Sequence, residues 1–170
     1  MKTTLIRVLI LFAGLIIAHF GVSLFLLADL GSDPFNVMIQ GLSRTIAGFI
    51  YSPIVTHGNT HMAVSILIII VLLFVDRSYI KIGTVICMFC GGPIIDMFNM
   101  ILSSIITPDS TMAVRIISNV IGCIILALGM SIVIKSDAGT GPNDLVLFSA
   151  LFRDRCINVP YSYLRGGIMA

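Results

Sequence analysis

The sequence has little charge and no tryptophan. Of its 170 residues only 11% are charged, whereas 58% are hydrophobic and the mean hydropathy is +1.10. A soluble globular domain typically carries about 25% charged residues. The shortage of charge therefore excludes an ordinary soluble domain and indicates an integral membrane protein. The net charge of +2 is small and dispersed, so the sequence predicts no nucleic-acid-binding surface.

The sequence also lacks the usual signs of a metal site, a disulfide framework or an enzyme. The four cysteines lie mostly inside apolar runs, and the Cys87–Cys90 pair has no second pair to complement it. His57 and His61 stand four residues apart, as two ligands on one helix face would, but no third ligand accompanies them. Because no nucleophile with a base and an orienting group can be recognised either, we predict no metal, no cofactor and no enzymatic activity.

Long apolar runs dominate the chain. A helix needs about 20 apolar residues to cross the hydrocarbon core of a bilayer. Four runs meet or approach that length: 6–27, 62–75 with its flanks, 82–106 and 113–134. Residues 51–61 look like a loop. Run 62–75 is too short to cross the core by itself and must therefore recruit 59–61 at one end or 79–80 at the other. The sequence therefore predicts an all-α, polytopic membrane protein with four spanning helices.

A nine-residue turn occurs twice. Residues 28–36 read ADLGSDPFN and residues 136–144 read SDAGTGPND, so that Asp29 corresponds to Asp137 at an offset of 108 residues. The same offset relates Arg7 to Arg115, and it also holds for several glycines along the apolar runs. A constant offset over such a distance indicates a duplicated membrane unit.

The duplication predicts two units of unequal length. The first, residues 1–106, contains three spans and a short amphipathic helix that begins at Pro34. The second, residues 107–170, contains one span and a short helix over 142–152. Such short helices are interfacial or re-entrant. Three spans per unit would invert the second copy, as in many secondary transporters.

The second unit is expected to be incomplete. The counterpart of residues 63–106 would fall beyond residue 170. A truncated reading frame is the simplest explanation, whereas spans supplied by a partner chain or by a second copy are the alternative.

Small residues and prolines are predicted to shape the bundle. Glycines spaced by seven residues form a stripe on the first and fourth spans, where they allow close helix packing in lipid. Glycines in the two turns permit unusual backbone angles, and prolines begin the short helices. A Gly-Pro pair should kink or break the third span. These positions are Gly14, Gly21, Gly122 and Gly129; Gly31, Gly139, Pro34 and Pro142; and Gly92 and Pro93.

Orientation is predicted from the distribution of lysine and arginine. With the N-terminus in the cytoplasm, only Arg44 and Arg115 of the ten basic residues lie outside, in agreement with the positive-inside rule. We therefore expect a multi-pass protein of the bacterial inner membrane, in contact with the lipid bilayer and with a cytoplasmic N-terminus.

A few polar residues are candidates for a solute or ion pathway. Asp96 lies deep in the third span, where it either faces protein or water or is a paired structural acid. Asp33 is also placed as a helix N-cap. His19 is interpreted as bonded to a neighbouring helix, with a proton relay as the alternative. The candidates are Asp29, Asp33, Asp96, Asn99, Asp137 and Asp144.

A resemblance to a known family rests on four motifs. They are Gly21-Val22-Ser23, Ala28-Asp29-Leu30-Gly31, Ile82-Gly83-Thr84 with Gly92-Pro93, and the second turn, Asp137…Pro142. Over essentially the whole chain they resemble the YczE/YitT group of bacterial integral membrane proteins. The resemblance implies a polytopic helical inner-membrane protein whose members usually extend beyond the point where this chain ends. It implies no activity and no substrate.

Together these features predict a transporter-like membrane protein for a small solute or ion. The charge of the solute stays open, because helix N-termini favour anions whereas the acids favour cations or protons. The alternative is a membrane scaffold or accessory subunit, in which the small-residue stripe joins a second copy or a partner membrane chain.

Overall fold

The computed structural model describes residues 2–31, 33–49, 55–75, 81–107, 110–139 and 141. In these residues the chain forms five helices. They are α1 (Lys2–Ala28), α2 (Pro34–Phe49), α3 (His57–Val75), α4 (Ile82–Leu102) and α5 (Met112–Lys135).

Four of the described helices are long and apolar enough to cross a membrane, judged by length and composition. The stretches are Thr4–Ala28, His57–Phe74, Ile82–Leu102 and Met112–Lys135. The predicted all-α architecture with four candidate spans is thus confirmed. The remaining helix, α2, has 16 residues and is too short for this role. The short helix predicted over 142–152, with Pro142, lies outside the described residues.

Helix α1 is the centre of the described bundle. It packs against α5 over the longest contact and also against α4, while α3 packs against α4 and α2 against α3. Accordingly, 44% of the most apolar stretch of α1 is buried inside the protein, compared with 17% of that of α5. Within the described part of the chain, most of the surface of α5 is therefore not covered by the other helices.

The α1–α5 contact is made through glycine. A Cβ atom placed on Gly14 would lie 2.9 Å from the backbone nitrogen of Val133, and one placed on Gly129 would collide with Ala18. Such backbone-to-backbone proximity is the geometry by which helices associate in lipid, where hydrophobic burial gives little driving force. The four glycines of the predicted stripe lie at this contact.

The α1–α4 contact is made by apolar side chains. Two buried clusters join the helices, one near the middle of α1 and one near its end. An edge-to-face pair of aromatic rings, Phe20 and Phe98, adds to the contact at a centroid distance of 5.2 Å. The buried members of the two clusters are Leu11, Leu15 and Cys87, and Val22, Phe25 and Ile95.

Two helix boundaries differ from the sequence-based expectation. Helix α3 begins at His57, so residues 57–61 extend the short span instead of forming a loop. Helix α4 continues through Pro93 without a break and ends at Leu102, earlier than the predicted residue 106. Proline removes a single N–H group from the helix. The other backbone groups have no competing partners in an apolar environment, so the helix continues.

Candidate functional site

The first copy of the turn ends α1. Asp29 and Gly31 adopt positive φ angles of 50° and 77°, which allow the chain to reverse after the helix. The Asp29 carboxylate forms an ion pair with Arg44 at 2.9 Å, and both side chains are at least half exposed. This acid is therefore at the surface of the bundle, where an ion pair contributes about 0–1 kcal/mol.

The second copy of the turn has the same backbone form at the end of α5. Asp137 and Gly139 again have positive φ angles, 52° and 143°. The Asp137 carboxylate forms ion pairs with Arg7 at 3.2 Å and Lys81 at 2.8 Å. The N–H group of Gly83 donates to the carbonyl of Ala138 at 3.0 Å, so this turn caps the N-terminus of α4, which has no side-chain cap.

Each turn is held by the arginine near the start of the opposite long helix. Arg7 of α1 binds the carboxylate of Asp137. Arg115 of α5 donates to the carbonyl oxygens of Ala28 at 2.7 Å and Asp29 at 3.0 Å. The residues of the two contacts correspond at the offset of 108, but Arg7 binds a carboxylate whereas Arg115 binds backbone carbonyl oxygens. Each long helix thus contacts the turn that follows the other one.

Inside the bundle a second pair of acids caps two helix N-termini. Asp33 caps α2: one of its carboxylate oxygens accepts the N–H of Asn36 at 2.9 Å, and the other accepts the Asn36 side-chain amide at 2.8 Å. This is the N-cap arrangement that the position before Pro34 predicts. Asn36 is buried, so the cap lies against protein.

Asp96 caps α3 from a different helix. One of its carboxylate oxygens accepts the Thr56 hydroxyl at 2.6 Å, and the other accepts the N–H of Gly58 at 2.8 Å. The hydroxyl oxygen of Thr56 in turn accepts the N–H of Asn59 at 3.1 Å. Gly58 and Gly92 are in such close contact that a Cβ on either would meet the backbone of the other. The two glycines thus bring α4 close enough for this long-range cap.

A hydrogen-bonded contact joins the two capped ends. His57 Nε2 lies 3.4 Å from the amide oxygen of Asn36. An amide oxygen only accepts, so Nε2 carries the proton in this contact. His61, one turn further along α3, packs edge-on against Phe35 at a centroid distance of 5.4 Å and against His19 at 6.2 Å. The N-termini of α2 and α3 therefore meet beside α1.

These groups line one part of a cavity of about 610 Å³. Asp33, Asn36, His19 and His61 supply its polar lining, whereas most of the other lining residues are apolar. His61 is 7% exposed, and its Nδ1 has no hydrogen-bond partner in the part of the chain that the structure describes. An unsatisfied buried polar group costs about 1–3 kcal/mol. This nitrogen is therefore an enclosed polar atom in the wall of the cavity, without a partner among the described residues.

The orientation of His19 is fixed by its own helix. Its Nδ1 lies 2.7 Å from the carbonyl oxygen of Leu15. Because a carbonyl only accepts, Nδ1 carries the proton and Nε2 of the neutral ring is an acceptor. A Cβ placed on Gly91 would lie 2.9 Å from this Nε2, so a glycine in α4 makes room for the ring.

With this geometry in view, the comparisons with known proteins decide the family. The family described as "Family of unknown function (DUF6198)" matches residues 5–163. The chain belongs to the DUF6198 family. The YczE-like resemblance seen in the sequence is thus confirmed.

Two Bacillus subtilis (strain 168) proteins are similar to this DUF6198 chain. It is 30% identical over 137 residues to "Uncharacterized membrane protein YczE", covering 80% of this chain and 59% of the relative. It is 25% identical over 131 residues to "Uncharacterized protein YyaS", covering 77% and 61%. The chain thus spans about six tenths of the length of these curated relatives. No solved structure matches it.

The five acids and one amide predicted as pathway residues do not lie together. Asp29 and Asp137 lie in the turns at opposite ends of the bundle. Asp33 lines the cavity. Asp96 does not line it, but it caps the N-terminus of α3, the helix that supplies His61 to the cavity. Asn99 is not among the cavity residues, although its side-chain oxygen is buried without a partner among the described residues. Asp144 lies outside the described residues.

Three polar cavity residues of the DUF6198 chain, His19, Asn36 and His61, are not among the pathway residues predicted from the sequence. Asn36 could have been found, because an acid followed three residues later by an amide resembles a capping box. The sequence pattern marks His61 only as one of two potential metal ligands, and among the described residues there is no group of three or more such ligands. The position of His61 in the cavity depends on contacts with α1 and α2, which no local pattern encodes.

Proposed function

We propose that this DUF6198 chain is a transporter-like protein for a small solute or ion. The observation that carries the proposal is the cavity at which the N-termini of α2 and α3 meet. Asp33 lines it directly, and Asp96 caps the adjoining helix end. In secondary transporters, interrupted helices commonly end near the middle of the membrane and form the substrate site with their termini.

An inverted repeat of residues 1–106 and 107–170 is part of the proposal. It is supported by the shared positive φ angles of Asp29 and Asp137 and by the exchange of the Arg7 and Arg115 contacts between the turns. Such repeats allow two alternative packings of similar stability, which is the basis of alternating access to a central site.

We also propose a bacterial inner-membrane location with the N-terminus in the cytoplasm. Arg7 and Lys81 meet Asp137 at one end of the bundle, whereas Arg44 and Arg115 lie with Asp29 at the other end. Among the described residues, four basic ones lie at the first end and two at the other, in accordance with the positive-inside rule. The four are Lys2, Arg7, Lys81 and Lys135.

Transport is tested by solute-induced currents and flux in proteoliposomes, across a panel of amino acids, amines, organic acids and inorganic ions. Met130 lines the cavity, so Met130→Trp should fill it and reduce flux about tenfold. Leu128 is 59% exposed on the same helix, so Leu128→Trp is the matched control and should retain flux. Absence of flux for every solute, or equal loss in both variants, would contradict the proposal.

A scaffold or accessory subunit is the alternative, favoured by the small buried fraction of α5. Its exposed faces could receive a second copy or a different membrane chain. In that case the protein should copurify from native membranes with one stoichiometric partner, and substitutions on the exposed face of α5 should release it. The cavity variant Met130→Trp should leave such a complex intact.

A further inference from the structure

The polar part of the cavity has a definite charge balance. A helix N-terminus carries a partial charge of about +0.5. Each of the two N-termini that meet here is capped by a full carboxylate, Asp33 for α2 and Asp96 for α3. With the histidines neutral, the two acids outweigh the two helix ends by about one negative charge. The helix N-termini are therefore already neutralised and are not free to bind an anion.

The polar groups in this part of the cavity offer hydrogen-bond acceptors that have few donors to bind. His61 Nδ1 is buried and has no partner among the described groups. The neutral His19 ring presents Nε2 as an acceptor, because its Nδ1 is bonded to Leu15. The carboxylate of Asp33 also only accepts when ionised. A ligand that donates several hydrogen bonds matches this set better than one that accepts them.

The remainder of the cavity is apolar. Val22, Ile68, Ile95 and Leu126 are among its lining residues, and Ile95 is completely buried. A site with an apolar wall and a few polar groups at one side orients a ligand that has the same two parts.

We infer that the cavity binds a small amphipathic amine, with its ammonium group at Asp33, His19 and His61 and its hydrocarbon body against the apolar wall. An ammonium group carries a positive charge and three donors and has no acceptor. It therefore complements both the charge balance and the acceptors of this site. The inference names the substrate class of the proposed transporter and in that respect rests on the proposed function.

Three probes with one hydrocarbon body and different head groups test the inference. They are 1-adamantylmethylamine, 1-adamantylmethanol and 1-adamantanecarboxylate, and their binding to the purified full chain is measured by isothermal titration calorimetry and by the shift in Tm. We expect the amine to bind about tenfold more tightly than the alcohol, and the carboxylate to bind most weakly, as charge complementarity requires.

Two substitutions locate the binding. Asp33→Asn keeps a good N-cap and removes the charge, so it should reduce the preference for the amine over the alcohol. His61→Phe keeps a ring of similar shape and removes Nδ1, so it should weaken the binding of the amine more than the binding of the carboxylate. Ser131 is exposed on α5 and bonded to its own helix, which makes Ser131→Ala the control with unchanged binding.

The outcomes separate this inference from the transport proposal, because binding is measured without flux. Selective amine binding that depends on Asp33 and His61 supports the inference even if no solute is transported. Equal binding of the three probes, or tightest binding of the carboxylate, overturns it even if flux is observed. If His61→Phe fails to fold, Asp33→Asn still decides: an unchanged preference for the amine overturns the assignment of the site.

Discussion

Gly21 of α1 and Gly122 of α5 face each other in the long helix contact. A Cβ atom on Gly21 would lie 2.6 Å from the carbonyl oxygen of Gly122, and one on Gly122 would lie 2.8 Å from the carbonyl oxygen of Gly21. The relationship is reciprocal, as expected for corresponding faces of two antiparallel helices. Because the obstructing atoms are backbone atoms, neither position can accept a side chain unless the helices separate.

The first prediction concerns this contact. Gly122→Leu should lower the free energy of unfolding by about 3 kcal/mol or more, since added atoms in a close-packed contact force a shift of the backbone. The measurement is thermal unfolding of the purified variant in detergent, with size-exclusion chromatography as a check of the folded state.

The matched control is Gly41→Leu. Gly41 lies in α2, where an added Cβ atom would meet nothing within 4 Å, and replacing an exposed helical glycine should stabilise the protein by about 0.5 kcal/mol. Equal tolerance of leucine at both positions would show that α1 and α5 do not pack through their glycines.

A second prediction separates the backbone role of Asp137 from its charge. Asn tolerates positive φ angles at least as well as Asp, whereas Ala does not. At the φ angle of 52°, Asp137→Ala should cost about 1 kcal/mol more stability than Asp137→Asn. Denaturation of the two variants in the same detergent gives the difference.

The acids of the two turns permit a functional test. Asp29 and Asp137 are half-exposed and ion-paired at opposite ends of the bundle, so the Asp29→Asn, Asp137→Asn double variant should fold and should retain flux if the cavity is the solute site. Complete loss of flux in a folded double variant would instead place these two acids in the pathway.

The sequence predicted the spans well because the length of an apolar run is a local property. It failed at the start of α3, where Gly58 and Asn59 have poor helix propensity. The helix nevertheless includes them, because Asp96, distant in sequence, caps its first turn. Likewise, the acids were easy to find, but only tertiary packing decides that Asp33 reaches the cavity while Asp29 remains at the surface.

A third prediction concerns topology. Leu30 follows α1 and Lys135 ends α5, and both are exposed. In a cysteine-free background, Leu30→Cys should react with a membrane-impermeant maleimide in intact cells. Lys135→Cys should react only after the cytoplasmic face is opened. Labelling of both residues from the same side would contradict the orientation and the inverted repeat together.

The last prediction concerns the cap that Asp96 supplies to α3. Asp96→Ala removes the acceptors of both the Thr56 hydroxyl and the Gly58 N–H, and a buried donor left without a partner costs about 1–3 kcal/mol. We expect that loss of stability and faster amide hydrogen exchange confined to the first turn of α3. Asp96→Asn keeps one acceptor oxygen, so this variant should lose less stability than Asp96→Ala.

Thr45→Ala is the control for this series, because Thr45 is exposed in α2 and its hydroxyl donates to the Gly41 carbonyl of its own helix. It should leave exchange in α3 unchanged. If Asp96→Ala left both stability and exchange unaltered, Asp96 would not be the cap. In the Asp96→Ala variant only the Asp33 carboxylate remains against the two helix N-termini, which leaves no net negative charge. The preference of the cavity for an ammonium group should therefore be reduced in this variant.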